Sequence, residues 1–262
     1  MKSLERRFVA RNESSEFDKI YLNEAEFLVA PHWFWPQYVD NWEPDTWAFF
    51  DQYVDAGRPV VDIGSWIGPT VLFAAACGAK RIVAVEGNPR TAEHLALTRS
   101  ANDKLIGLEI INRVIAPSEG LVTFGNLDGS EATSSASSTR GTGFNVPSST
   151  ISGVIDRFEC HNASIIKIDI EGSEVLIADQ LAALSRSNAA ILLSLHPPFW
   201  KDIANLELVH GFLQALSLFR IYSVKGNELS VEDVEGMCRY AGDVPPTWGT
   251  PFGNFFEIVL CA

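Results

Sequence analysis

The sequence is short of the features that mark disulfide-bonded, secreted and membrane-spanning proteins. Only four of its 262 residues are cysteine, and no two of them form a C-x-x-C pair, which argues against a zinc ribbon or a disulfide scaffold and favours a reducing compartment. The longest strongly apolar runs, such as residues 189–195, are too short to cross a bilayer. The first residues lack the apolar region of a secretory signal. We therefore expect a cytoplasmic protein without a membrane partner.

Basic residues are scarce as well. The chain has 20 Lys and Arg against 33 Asp and Glu, which gives a formal net charge of −13. Proteins that bind nucleic acids need a basic surface to displace counterions, so the charge argues against a nucleic-acid partner. With 47% hydrophobic and 20% charged residues, the composition is that of an ordered globular protein. The oligomeric state stays open, and a homo-oligomer is compatible with these data.

The pattern of the chain divides it into two regions. Residues 1–55 are rich in aromatics and predict an N-terminal cap of short helices and loops, whose rings either pack in a core or line a pocket. Residues 56–262 alternate short apolar runs with amphipathic stretches. This alternation predicts one α/β domain with a mostly parallel sheet of seven strands, an antiparallel last strand and helices on both faces. Between the last two strands, residues 219–224 and 255–261, we expect an irregular excursion with Gly and Pro.

One segment has an unusual composition. Residues 129–150 consist largely of Ser, Thr and Gly, which bury too little apolar surface to order a core element. The sequence leaves two interpretations open, a mobile surface insertion and a loop that closes over a bound substrate.

The strongest motif is PVVDIGSWIGPT, in which an apolar strand runs through Asp62 into Gly64, Ser65, Trp66 and Gly68 before a helix. Glycines at such a turn permit positive φ and close approach of the backbone to a ligand. The dinucleotide fingerprint has glycine where Asp62 stands, and a carboxylate there would repel a pyrophosphate. It suits a ligand with a cationic end, such as S-adenosylmethionine (SAM), which has an ammonium, a sulfonium and no phosphate. The alternative is a strand-to-helix turn without a ligand.

A second acidic residue agrees with this interpretation. The next predicted strand ends at Glu86, 22 residues after Gly64. An acid at this strand tip can accept hydrogen bonds from both ribose hydroxyls, which would place Gly87 and Asn88 beside the adenosine. By itself Glu86 could be an ordinary acid at a helix N-terminus. Its spacing from the glycine turn favours ribose binding.

These motifs together resemble the FkbM family of SAM-dependent methyltransferases. The resemblance rests on VVDIGSWIG, IVAVEGNPRTAEHL, RSAN and IIKIDIEGSE, spans residues 43–196 and is most specific in IKIDIEGSE. Two sites depart from it, because the family often has Ala-Asn where Ser65 and Trp66 stand and Pro where Gly87 stands. The resemblance implies a Rossmann-like class I methyltransferase fold. It also implies methyl transfer from SAM, with S-adenosylhomocysteine as product, usually to a hydroxyl of a sugar, glycan or natural product.

Two predicted strand ends carry groups that could take a proton from a hydroxyl. Lys167, Asp169 and Glu171 alternate around the end of the fourth strand, and a period of two places them on one face. We expect Asp169 and Glu171 to line the active site, with a structural Lys167–carboxylate pair as the alternative. His196 ends the fifth strand and is the first candidate for the general base, because histidine titrates near neutral pH. Asp169 is the second candidate, and an exposed turn histidine is the alternative for His196.

Several alternatives remain at this stage. Asp169, Glu171 and His196 could bind a divalent metal that lowers the pKa of the acceptor hydroxyl, but their spacing is not a recognised metal motif, so we predict no metal site. The rival functions are an NAD-dependent oxidoreductase, which Asp62 argues against, and a non-catalytic nucleoside-binding module. A DNA or RNA methyltransferase is disfavoured by the charge and by the lack of an N/D-P-P-Y/F motif after the fourth strand. The acceptor is not specified.

Overall fold

The computed structural model describes residues 5–40, 42–126, 134–135, 143–200, 205–243 and 255–262. Its strands, in chain order, are β1 (Arg6–Val9), β2 (Asp18–Leu22), β3 (Ala25–Val29), β4 (Val60–Ile63), β5 (Ile82–Val85), β6 (Leu108–Ile111), β7 (Val114–Ile115), β8 (Gly120–Asn126), β9 (Ser134–Ser135), β10 (Phe144–Ser149), β11 (Ile165–Ile168), β12 (Ala190–Leu195), β13 (Arg220–Ser223), β14 (Glu228–Leu229) and β15 (Phe256–Cys261).

The α-helices are α1 (Trp35–Val39), α2 (Pro44–Tyr53), α3 (Pro69–Ala76), α4 (Pro89–Ser100), α5 (Ile151–Arg157), α6 (Ala178–Leu184), α7 (Pro197–Trp200), α8 (Leu206–Leu216) and α9 (Val231–Asp243). Short 3₁₀ helices occupy Asp103–Leu105 and Ser173–Ile177. No helix of the described ranges is long and apolar enough to cross a membrane.

The main sheet has the order β14-β13-β15-β12-β11-β4-β5-β6. The five strands from β12 to β6 are parallel, and β15 runs antiparallel to both β12 and β13. The predicted α/β class and the antiparallel last strand are confirmed, and the two-residue strand β14 adds an eighth strand. Every residue of β4, β5, β11 and β12 is buried, as expected for parallel strands covered on both faces.

Two hydrophobic cores cover the two faces of this sheet. Because side chains alternate along a strand, Val61 and Ile63 pack in one core while Val60 packs in the other. The aromatics of the N-terminal region belong to the second core, where Trp35 and Tyr38 are fully buried. The Tyr38 hydroxyl donates to the carbonyl of Pro69 at 3.0 Å, so the N-terminal region packs directly against α3.

The N-terminal region differs from the predicted cap of helices and loops. It begins with a three-stranded antiparallel sheet, β1-β2-β3, and α1 and α2 follow. Along β2 the residues alternate between buried and half-buried, which is the period of a strand with one covered face. The polar residues between these short runs concealed that period, so this part of the prediction is wrong.

A second correction concerns the stretch between β13 and β15. The sequence predicted an irregular excursion there, but the structure has helix α9, and residues 244–254 lie outside the described part. Val234, Cys238 and Ala241 are buried, and their spacing of four and three residues gives the helix one apolar face. Gly236 and Gly242 have low helix propensity and masked this face in the sequence.

The Ser/Thr-rich segment is also more ordered at its end than predicted. Residues 129–133 and 136–142 lie outside the described residues, but β10 pairs with β8 antiparallel and with β7 parallel. Val146 of β10 packs with Val114 and Phe124 in a small separate core. These contacts stabilise a strand where the composition predicted an insertion or a loop.

Candidate functional site

A pocket opens where β4, β5 and β11 end. Ligands of open parallel sheets bind beyond the carboxyl ends of the strands, and this pocket lies there. Four of the predicted site residues line it, namely Gly64, Glu86, Gly87 and Asp169. The other lining residues are Ile63, Val85, Arg113, Val114, Ile115, Phe124, Ile170 and Ser173.

The glycine turn is required by the backbone of the neighbouring strand. Gly64 has φ of 77°, and a Cβ there would lie 1.7 Å from the Asp169 carbonyl oxygen, so no other residue fits. Gly68 has φ of 97° and is the N-cap residue of α3, whose first helical residue is Pro69. Trp66 has φ of 47°, a left-handed conformation that a bulky residue seldom adopts.

Glu86 is held by the backbone around it. Its two carboxylate oxygens accept hydrogen bonds from the amides of Trp66 and Asn88, each at 2.7 Å. Burial raises the pKa of Glu86, and these hydrogen bonds oppose that shift. The Thr91 hydroxyl also donates to this carboxylate, and two carboxylate oxygens have about four lone pairs in all, so acceptor capacity remains. The carboxylate is therefore oriented at the pocket with acceptor capacity left for a ligand.

Residues next to Glu86 complete this wall of the pocket. The Asn88 side chain caps α4 by accepting from the Arg90 amide at 3.0 Å. This hydrogen bond stabilises the N-terminus of the helix. The Asn112 side chain, which the sequence analysis missed, donates to the carbonyls of Glu86 at 2.9 Å and Gly87 at 3.1 Å. A Cβ on Gly87 would lie 2.4 Å from Val114, which excludes a larger residue without a shift of that wall.

Asp62 lies beneath the pocket and is 1% exposed. One of its oxygens accepts from the Thr70 hydroxyl at 2.6 Å, and the other is 3.4 Å from the Lys167 ammonium. Lys167 also lies 3.3 Å from Asp169 and donates to the Gly64 carbonyl at 3.2 Å. Burial lowers the pKa of Lys167, but the carboxylates of Asp169 and Asp62 outweigh it and leave the pKa raised. The structural ion pair considered for Lys167 is present.

His196 lies at the end of β12 within a cluster of three carboxylates. Its Nδ1 is 2.7 Å from a Glu174 oxygen, and its Nε2 is 3.6 Å from oxygens of both Asp169 and Glu171. Glu174 is fully buried and also accepts from the Trp200 indole at 3.0 Å. Since His196 is only 5% exposed, the interpretation as an exposed turn histidine is wrong.

Asp169 and Glu171 reach this cluster by a different route from the one predicted. Strand β11 ends at Ile168, so the two acids lie in the following turn and do not share a strand face. Glu171 has φ of 52° and Gly172 has φ of 95°, and this left-handed pair reverses the chain. The turn brings both carboxylates to the same nitrogen of His196.

The charges of the cluster change its titration. Burial lowers the pKa of His196, but Glu171, Glu174 and Asp169 outweigh burial and raise it to about 10. Burial raises the pKa of Glu171 to about 8, against the opposing effect of His196. These carboxylates thus favour the protonated form of His196, so its use as a base near neutral pH stays a prediction.

A second acidic group, missed in the sequence, lies close to this cluster. The Thr46 hydroxyl is 2.6 Å from Glu257 and 3.2 Å from Glu43. Burial raises the pKa of both Glu43 and Glu257. The negative charge of Asp169 raises both pKa values further, and Glu257 also raises that of Glu43. The Thr46 hydroxyl has one proton and can donate to only one of the two acids. A proton on the other acid lets that acid donate to the hydroxyl oxygen, so that both hydrogen bonds form. Glu43 and Glu257 are 214 positions apart, and their meeting has no sequence signal.

The remaining predicted residues, Ser65 and Trp66, are not among the residues that line the pocket, and the Ser65 hydroxyl and the Trp66 indole nitrogen are buried without a hydrogen-bond partner among the described residues. Ser65 is fully buried. The Trp66 ring lies 4.7 Å from the centroid of Phe34 and 5.4 Å from that of His32. Trp33, which lies between His32 and Phe34 in the sequence, is 62% exposed. Most N-terminal aromatics are thus core residues, and His32, Trp33 and Phe34 pack around the Trp66 ring.

Comparison with known proteins identifies this arrangement. The model of the methyltransferase FkbM domain matches residues 55–202, more than half of the chain. The chain belongs to the FkbM methyltransferase domain family. The match includes the glycine turn, Glu86, Asp169, Glu171 and His196. The fold is accordingly the Rossmann-like fold of class I SAM-dependent methyltransferases, as the resemblance implied.

Three solved structures with a similar fold are distant in sequence. The methyltransferase FkbM of Methylobacillus flagellatus is 15% identical with a TM-score of 0.47, and the alignment covers 78% of this chain and 43% of that one. An O-methyltransferase of Bacillus cereus in complex with SAH is 13% identical with a TM-score of 0.45, covering 85% and 83%. A TehB-like SAM-dependent methyltransferase of Corynebacterium glutamicum is 9% identical with a TM-score of 0.41, covering 84% and 89%. This FkbM domain chain thus spans less than half of the Methylobacillus protein. Comparison with curated proteins found no match.

Proposed function

We propose that this FkbM domain protein is a SAM-dependent O-methyltransferase whose acceptor is a hydroxyl of a sugar or another small natural product. The observation that carries the proposal is the group of Asp169, Glu171 and His196 next to the pocket that Glu86 lines. A hydroxyl must lose its proton as it is methylated, and carboxylates in this position, held by His196, serve that need.

The residues of the pocket fit SAM. Glu86 has free lone pairs for ribose hydroxyls, and burial of that carboxylate favours a ligand that donates hydrogen bonds to it. The five acids in and around the pocket, Asp62, Glu86, Asp169, Glu171 and Glu174, outnumber the three basic residues Lys167, Arg113 and His196 and suit a positively charged ligand. When bound, the cofactor supplies a methyl group on a positively charged sulfur, which keeps the bonding electron pair as the methyl leaves.

The acceptor side is assigned to the cluster at the ends of β11 and β12. Asp169 lines the pocket, and its Oδ1 and the Oε2 of Glu171 are buried without a hydrogen-bond partner among the described residues. These oxygens are available to bind the hydroxyl and receive its proton. Lys167 holds the other oxygen of Asp169, and Glu174 holds His196. The hydroxyl is thereby oriented by groups that are themselves fixed.

The experiment that tests this function is methylation with SAM carrying a ¹³C-methyl label. The purified chain is offered hydroxylated sugars and polyketide-like alcohols, and matched amines in which nitrogen replaces the hydroxyl. We expect a labelled methyl bonded to oxygen in the product NMR spectrum, together with S-adenosylhomocysteine. A methyl bonded to nitrogen or carbon would overturn the O-methyl assignment, and reduction of NAD with no methyl transfer would favour an oxidoreductase.

The cysteines support the proposed cytoplasmic location. Cys77, Cys160, Cys238 and Cys261 are all free thiols, and burial raises the pKa of each of them. Cys160 and Cys238 are buried and the other two are half-buried, and thiols with raised pKa values react slowly, which suits proteins that keep their cysteines reduced.

A further inference from the structure

We propose that Asp169, Glu171 and His196 bind one divalent cation of the Mg²⁺ or Mn²⁺ class, although their sequence spacing predicted no metal site. Each residue offers one ligating atom, and these three atoms all lie within 4.8 Å of one another. The Nε2 of His196 is 3.6 Å from Asp169 Oδ1 and from Glu171 Oε2. Two ligands that are each about 2.1 Å from one ion lie about 3 to 3.5 Å apart. The two pairs that include Nε2 are therefore already close to the spacing of ligands that share an ion, and the third pair is at most 4.8 Å apart.

The two carboxylate oxygens of this group lie 3.6 Å from His196 Nε2, beyond hydrogen-bond distance. Asp169 Oδ1 and Glu171 Oε2 are both buried, and neither has a hydrogen-bond partner among the described residues. Buried carboxylate oxygens without a donor are costly. They are also the same two oxygens that face Nε2, so one ion in front of His196 would satisfy both.

The contacts behind His196 are those of a metal ligand. Its Nδ1 is held by Glu174 at 2.7 Å, and Glu174 is held in turn by the Trp200 indole and by the Gly172 amide, each at 3.0 Å. A carboxylate on the far nitrogen of a ligating histidine fixes the ring and makes it a better ligand. This arrangement presents Nε2 to the two unpartnered oxygens.

The ligand set selects the ion. Two carboxylates and one imidazole favour a hard cation that tolerates nitrogen, which fits Mn²⁺ and Mg²⁺ better than metals preferring sulfur. Three protein ligands leave further positions on a six-coordinate ion, and Asp169 lines the pocket from which they can be reached. Water and a hydroxyl can fill those positions. This step rests on the proposed function: the ion lowers the pKa of the bound acceptor hydroxyl, and because Asp169 and Glu171 then serve as metal ligands, its proton passes to water instead of to their oxygens.

The test is a titration of the purified full chain with Mn²⁺ alone, followed by the EPR signal of the free ion. We expect one bound Mn²⁺ per chain, displaced by excess Mg²⁺. Asp169→Asn and Glu171→Gln should each abolish this binding, and Glu174→Gln should weaken it by about 10- to 100-fold, as for other groups that hold a metal ligand. Glu232→Gln, on the exposed face of α9, is the matched control and should bind Mn²⁺ like the parent chain.

Circular dichroism confirms that each variant is folded before its titration is read. If the parent chain does not bind Mn²⁺, or if Asp169→Asn and Glu171→Gln bind it as well as Glu232→Gln does, the site is wrong. The outcome is separate from that of the proposed function. A chain that methylates hydroxyls without binding Mn²⁺ overturns only the metal site, whereas a chain that binds Mn²⁺ but methylates nitrogen overturns only the O-methyl assignment.

Discussion

The two ends of the pocket are built in different ways. At the cofactor end, the Glu86 carboxylate is held by two backbone amides, those of Trp66 and Asn88, which lie within 20 residues of it. At the acceptor end, His196 is held by the side chain of Glu174, and Glu174 by that of Trp200. Backbone amides follow from the course of the chain, whereas side-chain contacts depend on packing between elements. We therefore expect substitutions to separate binding from chemistry along this division.

The largest expected effect comes from the acceptor end. His196→Ala removes the residue whose Nε2 faces both Asp169 and Glu171, so turnover should fall by about 10²- to 10⁴-fold, the usual contribution of a positioned proton-transfer group. SAM affinity, measured by calorimetry, should stay within a few-fold because Glu86 is untouched. Near-full turnover with the true acceptor would show that proton transfer does not depend on His196.

Asp169→Asn should affect both ends of the pocket. This carboxylate lines the pocket and pairs with Lys167, which in turn pairs with Asp62 beneath the glycine turn. Leaving a buried charge without its partner is strongly destabilising. We expect a loss of turnover comparable to that of His196→Ala, together with weaker SAM binding. A variant with intact SAM affinity would show that the two ends are independent at this residue.

Glu86→Ala should weaken binding more than chemistry. Hydrogen bonds to a charged group are worth about 1.5–3 kcal/mol, so SAM affinity should drop by on the order of 10- to 150-fold. At saturating SAM the turnover should recover most of its value. Glu93→Ala, an exposed change on the adjacent helix α4, serves as the control. Unchanged affinity in a folded Glu86→Ala protein would contradict the ribose assignment.

The smallest expected effect concerns Trp66 and is one of stability. Trp66 has φ of 47° and packs on Phe34. Trp66→Ala and Trp66→Asn both lose this packing, but Asn tolerates the left-handed conformation better than Ala. The Asn variant should therefore be more stable than the Ala variant by about 1 kcal/mol in urea unfolding. Equal stabilities would mean that this turn changes its conformation when the indole is removed.

The elements that could be predicted are those with a local cause. Parallel strands β4, β5, β11 and β12 are continuous apolar runs because both faces are covered. Helix α9 and the sheet β1-β2-β3 were missed because glycines and polar residues interrupt their periodicity. At the site, the glycine turn and Glu86 were found for the same local reason, whereas Glu174, Glu43 and Glu257 gave no signal.

By itself the sequence determined the α/β class, the strand-turn-helix with Gly64 and Gly68, and the acid at the tip of β5, because each depends on neighbours along the chain. Only the tertiary structure decided how the acids are used. It pairs Lys167 with Asp62 and Asp169, and it closes Asp169 and Glu171 onto His196 by a left-handed turn after β11. It also removes these groups from water, and burial is what makes their mutual charges strong enough to move the pKa of His196 to about 10.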